Sequence, residues 1–211
     1  GWLISGADAV AGGARDLSSI STITWLRSEG GGLVMSWAGD VDGDGVADIA
    51  AADNSAGVGG QVALFSGADL TGEVATNDLA SQLFQGAREG AHAGAAMAPA
   101  GDFDGDGLDD LLIGAPGRGT LGPRGRVYLL LGGASGGGLD DAARYLDGPD
   151  EESALGASVQ ALDDFDGDGV PEILVGAPGA TFSGLTAGGV WTLSGAALAD
   201  GDMEVLAVVR G

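Results

Sequence analysis

The residues best placed to do chemistry in this 211-residue chain are aspartates concentrated in three short loops. The loops begin at Asp40, Asp102 and Asp164, and each follows the pattern D-x-D-x-D-G-x-x-[DE]. Carboxylates at positions 1, 3 and 5, with a glycine at position 6 for a sharp turn, suit a hard cation such as Ca²⁺. Because carboxylates this close would repel one another without a counter-ion, the pattern predicts about three bound Ca²⁺ ions.

The remaining ligands are expected from the end of each loop. Position 9 closes the predicted shell with a carboxylate, and position 7 adds its backbone carbonyl oxygen. Asp109, at position 8 of the second loop, is predicted to point away from the ion, and the third site differs because Glu172 has a longer arm. The predicted ligands of the three ions are Asp40, Asp42, Asp44, Val46 and Asp48; Asp102, Asp104, Asp106, Leu108 and Asp110; and Asp164, Asp166, Asp168, Val170 and Glu172.

EF-hands, other metals and metal-free turns fit the loops less well. An EF-hand would place Glu at position 12, where this chain has Ala51, Ile113 and Val175, so each loop is expected to join two strands. Magnesium prefers fewer protein oxygens, and transition metals prefer nitrogen or sulfur ligands. An Asp-Gly turn without an ion is the alternative, and its repetition three times weighs against it.

The loops belong to an internal repeat, since their first aspartates are spaced by 62 and 62 residues. A glycine lies eight residues before each loop, and a second landmark glycine follows at Gly67, Gly133 and Gly195. The short apolar runs lack helical periodicity and are broken by Gly and Asp, which predicts four antiparallel strands per unit. For the fourth strand of the second unit, expected at 142–147, a short helix in "DDAARYL" is the alternative. Four-stranded units at this period are typical of propeller blades.

The aspartate loops, together with "GAPG" at 114–117 and 176–179, resemble FG-GAP repeats. These are the calcium-binding blades of the integrin α-chain propeller and of many bacterial surface proteins. The chain departs from the family pattern where "FG" is expected and, in the first repeat, where "GAP" is expected: Gly31-Gly32, Ala93-Gly94, Leu155-Gly156 and Ala52-Asp53-Asn54. The resemblance implies that each loop joins the first and second strands of its blade, so that Ca²⁺ stiffens the blade away from a ligand-binding face.

The predicted fold is all-β, a single domain over 1–211 formed by a β-propeller-like array of four-stranded antiparallel blades. Complete blades are expected at 32–86, 94–148 and 156–211, with a partial blade at 1–28, which makes about three and a half blades. An open array would expose strand edges and apolar blade faces, which require a partner. The chain is then a fragment of a longer propeller, a closed oligomer or an open head-to-tail polymer.

Charge and composition exclude several functions. A net charge of −23 would repel nucleic acid, no apolar run reaches the length of a membrane span, and there is no cysteine for a thiolate site. The N-terminal residues lack the features of a signal peptide. The one histidine, His92, has no predicted acid–base partner, and the tryptophans are expected to pack at strand positions. The chain is therefore predicted not to be an enzyme.

The function expected from these observations is that of an extracellular or cell-surface, calcium-stabilised structural or adhesive module. It would assemble with other copies of itself, or with a neighbouring surface protein, through exposed blade edges into an oligomer or filament. A propeller that binds a glycan or protein ligand is the alternative, as is an accessory fragment of a larger surface protein or enzyme. The extracellular location follows from the resemblance and from the millimolar Ca²⁺ that weak acidic loops require, and the resemblance also favours a bacterial source.

Overall fold

The computed structural model describes residues 2–3, 23–24, 33–69, 80–117, 124–150, 152–196 and 205–210. Nearly all regular structure in these residues is β, which confirms the predicted all-β class. Most strands lie in three larger sheets that follow one another along the chain. None of the helices in the described ranges is long and apolar enough to cross a membrane.

The first blade is a sheet in which four consecutive strands pair antiparallel with their neighbours. The strands are β3 (Leu33–Gly39), β4 (Asp48–Asp53), β5 (Gln61–Phe65) and β6 (Gln82–Gln85). Every residue of β4 is buried, because β4 lies in the interior of the sheet and both of its faces are covered.

The second and third blades repeat this arrangement. The second consists of β7 (Ala96–Gly101), β8 (Asp110–Ala115), β9 (Arg126–Leu130) and β11 (Ala143–Asp147). The third consists of β12 (Ser158–Ala161), β13 (Ile173–Ala177), β16 (Gly189–Leu193) and β17 (Val205–Arg210). The strand predicted at 142–147 is confirmed as β11, and the alternative helix is limited to one turn before it, α1 (Leu139–Ala142).

The first sheet has one strand more than predicted. β10 (Gly137–Gly138) comes from the connection before α1 and pairs parallel with β6. The two glycines have no side chains that would mark a strand in the sequence, and their backbone covers the outer edge of the first blade. Smaller pairs of strands complete the described structure: β1 (Trp2–Leu3) with β2 (Ile23–Thr24), and β14 (Thr181–Phe182) with β15 (Leu185–Thr186).

Apolar side chains fill the space between neighbouring blades. Along β8, Leu111 and Ile113 belong to the cluster shared with the first blade, whereas Leu112 belongs to the cluster shared with the third. This division follows from the two-residue period of a strand, and it explains why the run "DLLIGA" is apolar without alternation. The first strands of the blades, β3, β7 and β12, contact one another in turn, as in adjacent propeller blades.

The packing predicted for the tryptophans is only partly met, and the partial blade predicted at 1–28 stays a prediction. Trp191 packs in the core and is 7% exposed, but Trp37 is 63% exposed, so the expected packing is wrong there. Trp37 lies at a bulge in β3, which is an edge strand, and a bulge re-aims the side chain. Of the partial blade expected at 1–28, only the antiparallel pair of β1 and β2 lies within the described residues, and Trp25 lies outside them.

Candidate metal centres

Each aspartate loop connects the first and second strands of its blade. The first loop runs from β3 to β4, the second from β7 to β8, and the third from β12 to β13. This is the connection that the family resemblance implies. The loops are mostly exposed, whereas the acidic residue at position 9 is buried in each: Asp48, Asp110 and Glu172.

The same hydrogen bonds curl all three loops. The carboxylate at position 1 accepts the N–H groups of positions 4 and 6; for Asp102 these are Gly105 at 2.8 Å and Gly107 at 3.0 Å. The carboxylates at positions 3 and 5 each accept the N–H two residues further on. Gly105 and Gly107 have φ values of +78° and +93°, which favour glycine. The alternation of Asp and Gly therefore turns successive carboxylates toward one region.

The structure brings most of the predicted carboxylates together. In the third loop all four are close enough to share an ion, with ligand oxygens within 4.8 Å of one another, and the first and second loops each gather three in the same way. The residues gathered are Asp164, Asp166, Asp168 and Glu172; Asp40, Asp42 and Asp48; and Asp102, Asp104 and Asp106.

Two predicted carboxylates lie outside these clusters. Asp44 accepts the N–H of Val46 at 2.7 Å and the hydroxyl of Ser66 at 2.9 Å. Asp110 accepts the N–H groups of Phe103 and Gly132 at 2.8 and 2.7 Å. Both residues are thus held by the protein, and their roles as ligands stay predictions. The same applies to the backbone carbonyls predicted at position 7: Val46, Leu108 and Val170.

The residue at position 9 has a different environment in the third loop. Asp48, like Asp110, accepts two N–H groups, from Val41 and Gly67. Glu172 accepts one, from Phe165 at 2.8 Å, and its Oε1 is buried without a hydrogen-bond partner among the described residues. Burial raises the pKa of Asp48 and raises that of Asp110 to about 6, because a carboxylate loses hydration inside the protein.

The landmark glycine after the third strand of each blade contacts the end of the aspartate loop. A Cβ on Gly67 or Gly195 would overlap the carbonyl oxygen of Ala47 or Pro171, so only glycine allows this approach. In the second blade the equivalent position is Gly132, which donates to Asp110, so the predicted landmark Gly133 lies one residue too late. The repeated glycine is thus a sequence signal for the support of position 9, and its link to the site becomes visible only in the fold.

The donor set fits a calcium ion. The clustered side chains offer carboxylate oxygens, which Ca²⁺ prefers, and in the third loop one of these oxygens, Glu172 Oε1, is buried with no hydrogen-bond partner from the residues described. His92 lies apart from this chemistry. Its Nδ1 is 2.9 Å from the carbonyl oxygen of Asn54, and the residue has a φ of +56°.

Comparison with known proteins agrees with this geometry. The FG-GAP repeat family model matches residues 93–130 and 155–193, which contain the second and third loops. The chain is 37% identical to integrin alpha-4 of Xenopus laevis over 44% of its length and 42% identical to integrin alpha-IIb of Homo sapiens over 41%. It is 33% identical to integrin alpha-PS2 of Drosophila melanogaster over 66%. The matches span 9%, 8% and 10% of those relatives. The chain therefore contains FG-GAP repeats at 93–130 and 155–193, and it is similar to integrin α chains over part of their length.

Proposed function

We propose that this chain is an extracellular, calcium-stabilised propeller module with a structural or adhesive role and no catalytic activity of its own. The observation that carries the proposal is the third loop, where Glu172 is fully buried beside three converging aspartates and its Oε1 has no hydrogen-bond partner in the part of the chain that the structure describes. A buried carboxylate oxygen without a partner is unfavourable, and a bound cation at this point would remove the penalty.

Calcium suits these loops better than other cations. It takes six to eight oxygen ligands in flexible geometry, and each loop offers several carboxylates with the predicted carbonyl oxygen at position 7. Magnesium requires a near-ideal octahedron of shorter bonds. Bound Ca²⁺ supplies the positive charge that offsets repulsion among the aspartates. The protein positions the carboxylate oxygens through hydrogen bonds that the backbone N–H groups of the loop glycines donate.

The expected effect of the ion is on stability. A ligand that binds only the folded state at 100 times its Kd stabilises that state by about 2.7 kcal/mol. Each ion would fasten the first strand of its blade to the second, where the loop connects them. Extracellular modules of this weak acidic type work at about 10⁻⁴–10⁻³ M Ca²⁺, which supports a location outside the cell, on a surface such as that of a bacterium.

The adhesive role rests on similarity to integrin α chains, and it remains a proposal because the matches span about a tenth of those proteins. Glycan binding is the alternative, and it would use an exposed aromatic side chain. Trp37, which is 63% exposed, is such a side chain. Measuring how the wild-type protein and a Trp37→Ala variant bind to immobilised glycans distinguishes the adhesive role from the glycan-binding alternative. Loss of binding on substitution would favour the alternative.

Self-assembly is the second part of the proposal. Leu112, Val127 and Leu146 of the second blade are buried against the third blade. The equivalent positions of the third blade are Leu174, Val190 and Val209, and Val209 is 67% exposed. We infer that this face accepts a blade of another copy or of a neighbouring surface protein. In sedimentation velocity, wild-type protein in calcium should form oligomers that Val209→Asp disrupts, whereas a wild-type monomer at high concentration would refute assembly.

Thermal unfolding tests calcium stabilisation. Millimolar Ca²⁺ should raise the Tm of chelator-treated protein by several degrees, and Asp166→Asn should reduce the gain. A conservative control outside the loops, Ser158→Thr, should leave the gain unchanged, because Ser158 lies on β12 and not in the acidic cluster. Equal Tm values in calcium and in chelator would contradict the proposed function.

A further inference from the structure

We propose that the first and second aspartate loops bind calcium cooperatively through a direct contact between them, while the third loop binds independently. The proposal rests on the proposed function, calcium binding by the three loops. It assigns Asp109 as the positioning residue that transmits the state of the second site to the first. The observations that carry it are hydrogen bonds between the two loops and the absence of the required groups at Pro171.

The contact joins residues that lie 69 positions apart in the chain. The Oδ2 atom of Asp109 accepts the backbone N–H of Asp40 at 2.8 Å, and the N–H of Asp109 donates to the carbonyl oxygen of Asp40 at 3.0 Å. A Cβ on Gly39 would overlap the Asp109 carboxylate, so the glycine makes room for it. Two hydrogen bonds of opposite direction fix the position and the orientation of one loop backbone against the other.

One residue of this contact is itself a predicted ion ligand, and the other lies between two predicted ligands. Asp40 is the first ligand of its own loop and already accepts the N–H groups of Gly43 and Gly45, each at 2.9 Å. Asp109 lies between Leu108, whose carbonyl is the predicted ligand at position 7, and Asp110. An ion in the second loop that fixes Leu108 and Asp110 will therefore also fix the backbone of Asp40.

A second path of hydrogen bonds runs between the same sites. Gly132 donates to Asp110 Oδ1 at 2.7 Å, and the next residue, Gly133, donates to the carbonyl oxygen of Val41 at 2.8 Å. The N–H of Val41 in turn donates to Asp48 Oδ2 at 2.9 Å. The acidic residues at position 9 of the two loops are thus joined through three consecutive hydrogen bonds and the short backbone segments between them.

The junction between the second and third loops is built differently. Pro171 occupies the place of Asp109 and has neither a backbone N–H nor a carboxylate. Gly101, the counterpart of Gly39, has nothing within 4 Å of a Cβ placed on it. The contact there is apolar, because Phe103 packs in the core shared by the two blades and would touch a Cβ on Gly195.

Binding at the second site should therefore reduce the ordering cost at the first, which is positive cooperativity without a large change of shape. Repulsion between two bound cations opposes this cooperativity, because each ion weakens the attraction of the other to the acidic surface. At 0.15 M salt, where the Debye length is about 8 Å, this repulsion is screened. The coupling is expected to persist at higher salt, since hydrogen bonds between neighbouring backbones transmit it.

Nuclear magnetic resonance of the full chain can follow the three sites separately. The backbone amides of Gly45, Gly107 and Gly169 occupy position 6 of the three loops and donate to the position 1 carboxylate, so each reports its own site. In a calcium titration at 0.15 M salt, Asp104→Asn should raise the midpoint of the Gly45 response about fivefold or more. Asp166→Asn, which disables the third site, should leave that midpoint unchanged.

Asp109→Ala is the direct variant. It should raise the Gly45 midpoint about fivefold, and addition of Asp104→Asn should then have little further effect on Gly45. Asp109→Asn keeps an oxygen acceptor for the Asp40 N–H and should restore most of the coupling. An unchanged Gly169 midpoint shows that the variants are folded; if Asp109→Ala does not fold, the comparison of Asp104→Asn with Asp166→Asn still decides.

The outcomes separate the two proposals. If none of the three amides responds to calcium, the proposed function fails. If all three respond but the Gly45 midpoint is the same in wild type, Asp104→Asn and Asp109→Ala, calcium binding stands and the coupling is overturned.

Discussion

The second and third blades have the same strand order and the same nine-residue loop pattern, but they support position 9 differently. Both oxygens of Asp110 accept backbone N–H groups, whereas one oxygen of the longer Glu172 is buried with no hydrogen-bond partner within the described ranges. At position 8 the second blade has Asp109, which bonds to the first loop, and the third has Pro171. The loop pattern thus determines which oxygens are offered, whereas the surrounding residues differ in how they satisfy the oxygens at position 9 and in whether they bond to a neighbouring loop.

The two blades also differ in the side chains at the start of their third strands. In the second blade Arg126 is buried and bonds to Asp147 at 2.7 and 2.9 Å and to Asp140 at 2.8 Å. Its guanidinium also lies 3.5 Å from the ring centroid of Tyr145. In the third blade the equivalent residue is Gly189, and an aromatic stack lies beside it, with Phe182 5.8 Å from Trp191. One blade relies on a charged network and the other on aromatic packing.

The largest expected effect comes from breaking the charged network. Arg126→Leu removes the buried cation that bonds to both Asp147 and Asp140, leaving Arg88 at 3.6 Å from Asp147, and should lower the free energy of unfolding by about 3 kcal/mol. The matched change in the third blade is Arg210→Ala, which removes a cation at 4.6 Å from the Phe182 ring and should cost about 1 kcal/mol or less. Urea denaturation in calcium measures both, and equal losses would show that the two blades do not differ in this way.

Substitutions at position 9 are expected to have smaller effects on the stability of the chelator-treated protein, and these effects should have opposite signs in the second and third blades. Glu172→Gln removes a buried charge of which one oxygen, Oε1, has no hydrogen-bond partner among the described residues, so it should raise the stability of the ion-free protein by about 1 kcal/mol. Asp110→Asn places an amide group against N–H donors and should lower that stability by about 1–2 kcal/mol. Thermal unfolding in chelator distinguishes the two, and destabilisation by both substitutions would remove the proposed difference between the blades.

The smallest effect concerns acid stability of the second blade. Burial alone would raise the pKa of Asp147, but its hydrogen bonds to Arg126 and the positive charges of Arg126, Arg88 and Arg124 together lower the pKa below the ordinary 3.8. A carboxyl group with a lowered pKa contributes stability above pH 3.8, which is lost as the pH falls through the folded value. Wild-type protein should therefore lose more stability than Asp147→Asn below about pH 4. Parallel curves for the two proteins between about pH 5 and about pH 2 would contradict this assignment.

Much of the fold follows from local pattern. The 62-residue spacing, the glycine punctuation and the apolar runs predict the strands of the described blades, because each strand buries side chains at a two-residue or continuous period. β10 was missed because Gly137 and Gly138 carry no such pattern, and its pairing depends on where the neighbouring blade places β6. Trp37 was misjudged because a bulge, which a sequence does not display, changes the direction of a side chain.

For the candidate sites too, some features follow from the local sequence and others depend on how the blades pack. The gathering of carboxylates within one loop is predictable, because the Asx-type bonds and the glycines act over two to five residues. The bond of Asp109 to Asp40 was not predictable, since it depends on the packing of two blades, and position 8 has no repeated residue type to mark it. Arg126 was missed for a related reason: its acidic partners come from α1 and β11 and meet it only in the folded sheet.

The central claim, that the three loops are calcium sites, is tested most directly by anomalous X-ray diffraction from crystals grown in millimolar CaCl₂. Three anomalous peaks per chain are expected, one within reach of the carboxylates of each cluster, including a peak beside Glu172 Oε1. Ordered loops without anomalous density at any of the three positions would contradict it.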